Sequence, residues 1–119
     1  MIKPLRRIPC VLLLAASPLA FAHASLVAST PTKGATLDRP PTELRLTFNE
    51  RVEAAYTSVR LVDARGKEAA SAKAVADPAD ARSVKFAVPS LASGTYVARW
   101  TAVGDDGHRT HGEFSFSVR

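Results

Sequence analysis

The stretch "LASGTYVARWTA", Leu91 to Ala102, carries the plainest structural signal in the chain. Tyr96, Ala98 and Trp100 fall on one side of it, and Val97, Arg99 and Thr101 on the other. That is the period-two pattern of a strand with one face buried. Ahead of it, Leu91, Gly94 and Tyr96 have the spacing of a corner in which the tyrosine hydroxyl bonds back to the upstream backbone. A purely apolar role for Tyr96 would leave the strand reading intact.

The same alternation recurs on both sides. In "ELRLTF" it places Leu44, Leu46 and Phe48 together, in "SVKFAV" Val84, Phe86 and Val88, and in "EFSFSV" Phe114, Phe116 and Val118. "TSVRLVD" and "SLVASTP" read as further strands, the latter as the first. Turn signals separate the runs: Pro31 with Gly34, Pro40-Pro41, Asp63-Ala64-Arg65-Gly66 and Asp77-Pro78. The alanine-rich "KEAASAKAVADPADA" is read as a short strand plus a loop rather than a helix. About seven short strands between frequent turns predict an all-β fold, an immunoglobulin-like antiparallel β-sandwich with Greek-key connections.

Residues 1–22 have a different character. Lys3, Arg6 and Arg7 precede the apolar run "VLLLAASPLAFA", which ends on the small-residue pattern Ala20-Phe21-Ala22. These are the three parts of a secretory signal, and the run is too short to cross a bilayer comfortably. Cys10 lies ahead of the apolar run rather than at its end, which argues against a lipoprotein. Arg6-Arg7 alone is weak evidence for twin-arginine export. Residues 1–22 are therefore expected to be a signal peptide cut after Ala22, leaving a single exported domain, 23–119.

Cleavage changes the charge balance. The signal holds three basic residues and no acidic one, so the formal charge falls from +5 to +2. With no basic patch interleaved with aromatics, nucleic acid is not an expected partner. Cleavage also removes the only cysteine, Cys10, and the only methionine, Met1. The domain must hold by packing alone and offers no sulfur ligand.

The polar loop "GDDGHRTHGE", residues 104–113, holds Asp105, Asp106, His108 and His111. Asp-Gly is also an ordinary turn pair, so the loop by itself fits a solvated turn equally well. His23 shifts the balance. As the first residue after cleavage it presents two nitrogens, the free amine and the ring Nδ1, which close a six-membered chelate on a metal. His108 adds a third nitrogen and Asp106 an anionic oxygen. If the loop is extended, residues i and i+2 point the same way and this pair converges. Nitrogen-rich, oxygen-completed and free of sulfur, the set favours Cu(II) over Cu(I). Structural zinc sites usually carry cysteines, and a blue-copper site requires one.

These residues carry a family resemblance. "HASLVASTPTKGATL", "PTELRLTFNERVE" and "LASGTYVARWTAVGDDGHRTHGEFSFSV" together resemble the CopC/PcoC-like family of periplasmic copper-resistance proteins over essentially the whole of 23–119. The resemblance implies a β-sandwich binding one Cu(II) per chain through His23, Asp106 and His108. In some members an acidic residue near the copper occupies the position of Glu50, as a weak ligand or an outer partner; an exposed strand-end carboxylate is the competing reading. One branch has a methionine-rich loop for Cu(I), and no methionine follows Met1 here, so no Cu(I) site is expected. His111 is expected to face solvent, with support of the ligands or extra metal at high loading as its alternatives. The implied partner is a CopD-like inner-membrane copper transporter, the compartment the periplasm, and the protein a monomeric carrier or buffer rather than an enzyme.

Two other functions compete. Copper on an N-terminal histidine also serves polysaccharide monooxygenases, but those need an open coordination position and a flat substrate face, and Asp106 would occupy the place oxygen needs. A metal-free structural sandwich would be indifferent to trimming at His23. No serine-histidine-acid arrangement and no glycine-rich phosphate loop is present.

Overall fold

The computed structural model describes residues 23–119; the expected signal segment, 1–22, lies outside the described residues. Nine strands follow one another: β1 Leu26–Thr30, β2 Thr36–Leu37, β3 Glu43–Phe48, β4 Ser58–Asp63, β5 Glu68–Lys73, β6 Val75–Asp77, β7 Asp80–Ala87, β8 Gly94–Val103 and β9 Arg109–Val118. A single 3₁₀ turn, Ala54–Tyr56, interrupts the connection from β3 to β4. The strands form two sheets, in the orders β1-β3-β7-β6 and β2-β9-β8-β4-β5. The chain changes sheet between β1 and β2, β2 and β3, β3 and β4, β5 and β6, and β7 and β8. This is the Greek-key weave of an immunoglobulin-like sandwich.

Alternation explains why these segments are strands. Leu44, Leu46 and Phe48 of β3 and Val84 and Phe86 of β7 are buried from one sheet, and Ala98, Trp100, Phe114 and Phe116 from the other. The two inner faces form one apolar cluster. Phe48 and Trp100 meet edge to face across it, with ring centroids 5.2 Å apart. The corner ahead of β8 has the expected bond: the Tyr96 hydroxyl donates to the Ala92 carbonyl at 2.7 Å. The Asp63–Gly66 turn closes the β4–β5 hairpin, with the Asp63 carboxylate accepting from the Arg65 and Lys67 amides.

The structure departs from the sequence reading in three places. There are nine strands rather than about seven, the additions being the very short β2 and β6. The sandwich is not wholly antiparallel, because β2 runs parallel to β9 through Thr36↔Ser117 and Leu37↔Val118. The alanine-rich stretch yields two strands: β5 pairs with β4, and β6 forms a hairpin with β7. Its alanines give no strong alternation, so pairing with neighbouring strands decides the local structure. The β6–β7 turn is fixed by Asp77, whose carboxylate accepts the Ala79 amide at 3.0 Å.

Candidate metal centre

Three segments meet at one end of the sandwich: the residues ahead of β1, Asn49-Glu50 just after β3, and the loop joining β8 to β9. The first is clamped from both sides. The Asn49 carboxamide accepts from the Ser25 amide at 2.8 Å and donates to the His23 carbonyl at 3.5 Å. The Asn49 amide returns a bond to the Ser25 carbonyl at 3.0 Å. From the β9 side, the Thr110 hydroxyl donates to the Ala24 carbonyl at 2.8 Å. The methyl group of Ala24 is buried in the core cluster. His23, next to it, is exposed.

The loop is a tight turn. The Gly104 amide donates to the His108 carbonyl at 3.1 Å, and the Gly107 amide to the Gly104 carbonyl at 2.9 Å. Gly107 sits at φ +80°, a conformation that a side chain would strain. The Asp106 carboxylate holds the turn twice over. One oxygen accepts the His108 amide at 3.0 Å, and the other meets the His108 ring Nδ1 at 2.7 Å. Asp106 and His108 thus converge, but through a turn centred on Gly107 rather than through the alternation of an extended segment. Across the gap the His23 and His108 rings stand edge to face, with centroids 4.9 Å apart.

His23, Asp106 and His108 each offer a ligand atom, and those atoms lie within 4.8 Å of one another. All three residues are exposed, so an ion reaches them from solvent. The electrostatics are coupled. The hydrogen bonds from the His108 ring and amide hold the Asp106 carboxyl below the usual carboxylate range. The bond to Asp106, and its negative charge, raise His108 above the usual imidazole value. An imidazolium has no free lone pair for a cation, so a metal at His108 would compete with its protonation. Two imidazoles and a carboxylate, without sulfur, are donors that suit a borderline divalent ion such as copper.

Glu50 and His111 lie outside this trio. Glu50 is not an exposed strand-end carboxylate: its Oε1 is buried and has no hydrogen-bond partner. It faces Gly104, where an added Cβ would collide with it and would also lie 3.2 Å from Asp106 Oδ1. The Glu50 and Asp106 carboxylates therefore lie close to the same Gly104 position. His111 is exposed on the outer face of β9, opposite Thr101 of β8. A cavity of about 590 Å³ runs along β1 and β9, with His23, Trp100 and His111 among its walls.

Sequence reading missed Asn49 and Thr110, which position His23 by holding the backbone beside it. A carboxamide and a hydroxyl carry no pattern of their own. The only available signal was their place beside residues already singled out, Asn49 before Glu50 and Thr110 after the loop. An ion pair from Arg51 to Asp105 at 3.9 Å further ties the end of β3 to the loop.

Comparison with known proteins adds a second line of argument. The CopC domain family model matches residues 26–119. Copper resistance protein C of Xanthomonas campestris pv. juglandis is 34% identical over 110 residues, covering 87% of this chain and 86% of that protein. The crystal structure of CopC from Methylosinus trichosporium OB3b superposes with a TM-score of 0.76 at 30% identity, over 81% of this chain and 93% of the other. PcoC from Escherichia coli, described as a methionine-rich copper resistance protein, has a TM-score of 0.69 at 26% identity, over 82% and 100% of the two chains.

Proposed function

Because the chain belongs to the CopC family, we propose that it is a periplasmic copper-binding protein of copper resistance that takes one Cu(II) on His23, Asp106 and His108. The observation that carries this reading is the convergence of those three side chains from two distant segments. Cleavage after Ala22 completes the set, since it turns the His23 nitrogen from an amide into an amine. Amine and ring nitrogen of His23, the His108 imidazole and the Asp106 carboxylate then supply three nitrogens and one oxygen. Glu50, facing Gly104 close to Asp106, is an outer carboxylate of the site rather than a ligand. The protein acts as a carrier, exchanging copper with a CopD-like transporter of the inner membrane, and performs no redox turnover of its own.

Intact mass of the exported protein, with and without Cu(II), tests the cut and the copper count together. The expected mass begins at His23 and rises by one copper. In competition titrations, His108→Ala lowers affinity by at least about tenfold, or 1.4 kcal/mol. An extra alanine ahead of His23 does the same or worse. Undiminished binding in either variant would overturn the ligand set.

A further inference from the structure

On the outer face of the five-stranded sheet, strand register lines up side chains in two rows. One row reads Ser71, Arg60, Arg99, Glu113 across β5, β4, β8 and β9. The next reads Lys73, Ser58, Thr101, His111. Arg60 and Arg99 are direct cross-strand partners, an arrangement of like charges that weakens a sheet. Glu113 is the only carboxylate in the two rows, and it reaches Arg99 alone, at 3.4 Å from Nε. Arg60 and Lys73 make no ion pair among the described residues. The short hydroxyl side chains of Ser58, Ser71 and Thr101 lie between the long cationic ones. The result is a hollow of about 550 Å³ on this face, bounded by Arg60, Arg99 and His111.

We propose that this hollow is a binding site for a small phosphate-class oxyanion, inorganic phosphate or a phosphate monoester, separate from the metal centre. Its polar lining is two guanidiniums, three hydroxyls and an imidazole, set against one carboxylate, Glu113, on a largely apolar floor. A guanidinium presents its N–H groups as a planar fork that matches phosphate oxygens, and Arg99 keeps its terminal amines free while Nε faces Glu113. A dianion between Arg60 and Arg99 converts their repulsion into a shared attraction, which accounts for two arginines placed face to face. The geometry favours a small ligand over a lipid surface. Of the exposed large apolar residues, Val27 and Val75 lie away from the two rows and only Tyr56 borders them, beside Ser58, Lys73 and Thr101, too little apolar surface to anchor in a bilayer.

The test uses the purified, metal-stripped protein at constant ionic strength. Inorganic phosphate is titrated against the arginine Nε–H and His111 NMR signals, with chloride as the reference salt. The expected result is saturable shifts of Arg60, Arg99 and His111 in phosphate and not in chloride. Arg60→Gln weakens that binding about tenfold or more, whereas Arg65→Gln, an equal change of net charge at the exposed β4–β5 turn, leaves it intact. Circular dichroism confirms that both variants fold. Equal shifts in chloride, or equal losses in the two variants, would reduce the site to general electrostatics and overturn the proposal. Binding to phosphatidylglycerol vesicles without binding to phosphate would overturn it in favour of a membrane-facing surface.

Discussion

Asp106 does two jobs at the scale of the single residue. In the free protein it shapes the loop by accepting the His108 amide, and it holds a proton against the His108 ring. In the metal-bound form we propose, the same carboxylate supplies an anion. The proton makes a pH prediction. Asp106 raises His108, so the free protein keeps that proton to higher pH than an ordinary imidazole would. Copper requires neutral His108, so binding near neutrality expels the proton, and apparent affinity falls as pH drops through the raised value. Asp106→Asn is expected to weaken binding at alkaline pH and to lower the number of protons released near neutrality. Calorimetry in buffers of different ionisation enthalpy measures that number; an unchanged count would disconnect Asp106 from His108. The donor side chains were visible in the sequence because histidine and aspartate in a short loop are chemically conspicuous. Asn49 and Thr110 were not, because an amide or hydroxyl that binds backbone looks like any other surface residue.

Among the elements, β8 does most to organise the molecule. It lies between β4 and β9, carries Trp100 into the core and runs directly into the loop that bears Asp106 and His108. The Tyr96 corner fixes its start. Tyr96→Phe removes the bond to the Ala92 carbonyl and is expected to cost about 1 kcal/mol, read as a lower urea midpoint at unchanged slope. No loss would mean that Tyr96 serves only through its ring. A second element-scale effect belongs to the β6–β7 hairpin. The Arg82 amide and Ser83 hydroxyl hold the Asp80 carboxyl below its usual range. Such a group contributes stability above the unfolded carboxylate value, and that contribution is lost as pH falls through the depressed one. Asp80→Asn is expected to flatten acid unfolding over that window, a change visible in midpoints measured from neutrality to below pH 4. The strands carrying β3, β7, β8 and β9 were legible because one buried face imposes alternation on the sequence. The alanine-rich β5 and β6 were not, since their strand character comes from hydrogen bonds to β4 and β7.

Taken whole, the domain has no covalent brace. The sequence contains one cysteine, Cys10, so no disulfide can form within residues 23–119. Reductant is therefore expected to leave the unfolding midpoint of the metal-free protein unchanged. Copper bound as proposed would, in contrast, tie the segment ahead of β1 to the β8–β9 loop and favour the folded arrangement. At about 100 times its dissociation constant it is expected to stabilise the fold by roughly 2.7 kcal/mol, and a chelator reverses the gain. A midpoint insensitive to saturating Cu(II) would argue against a site that joins the two segments. At this scale the sequence was least informative. It announced two sheets, but which strand ends gather at one pole depends on the order in which the chain crosses between them. The same crossing order sets Arg60 against Arg99, two residues that no local pattern connects.

The anchoring of Ala24 and Ser25 has a kinetic consequence. In a chain beginning at His23, no residue extends beyond the last fixed backbone group, because the His23 carbonyl itself accepts from Asn49. The terminal imidazole then explores a few rotamers instead of the wide ensemble of a free tail, and those interconvert in picoseconds to nanoseconds. At the proposed site, capture of the ion is therefore expected to be paced by its diffusion and by the shedding of its own water, not by any rearrangement of the polypeptide.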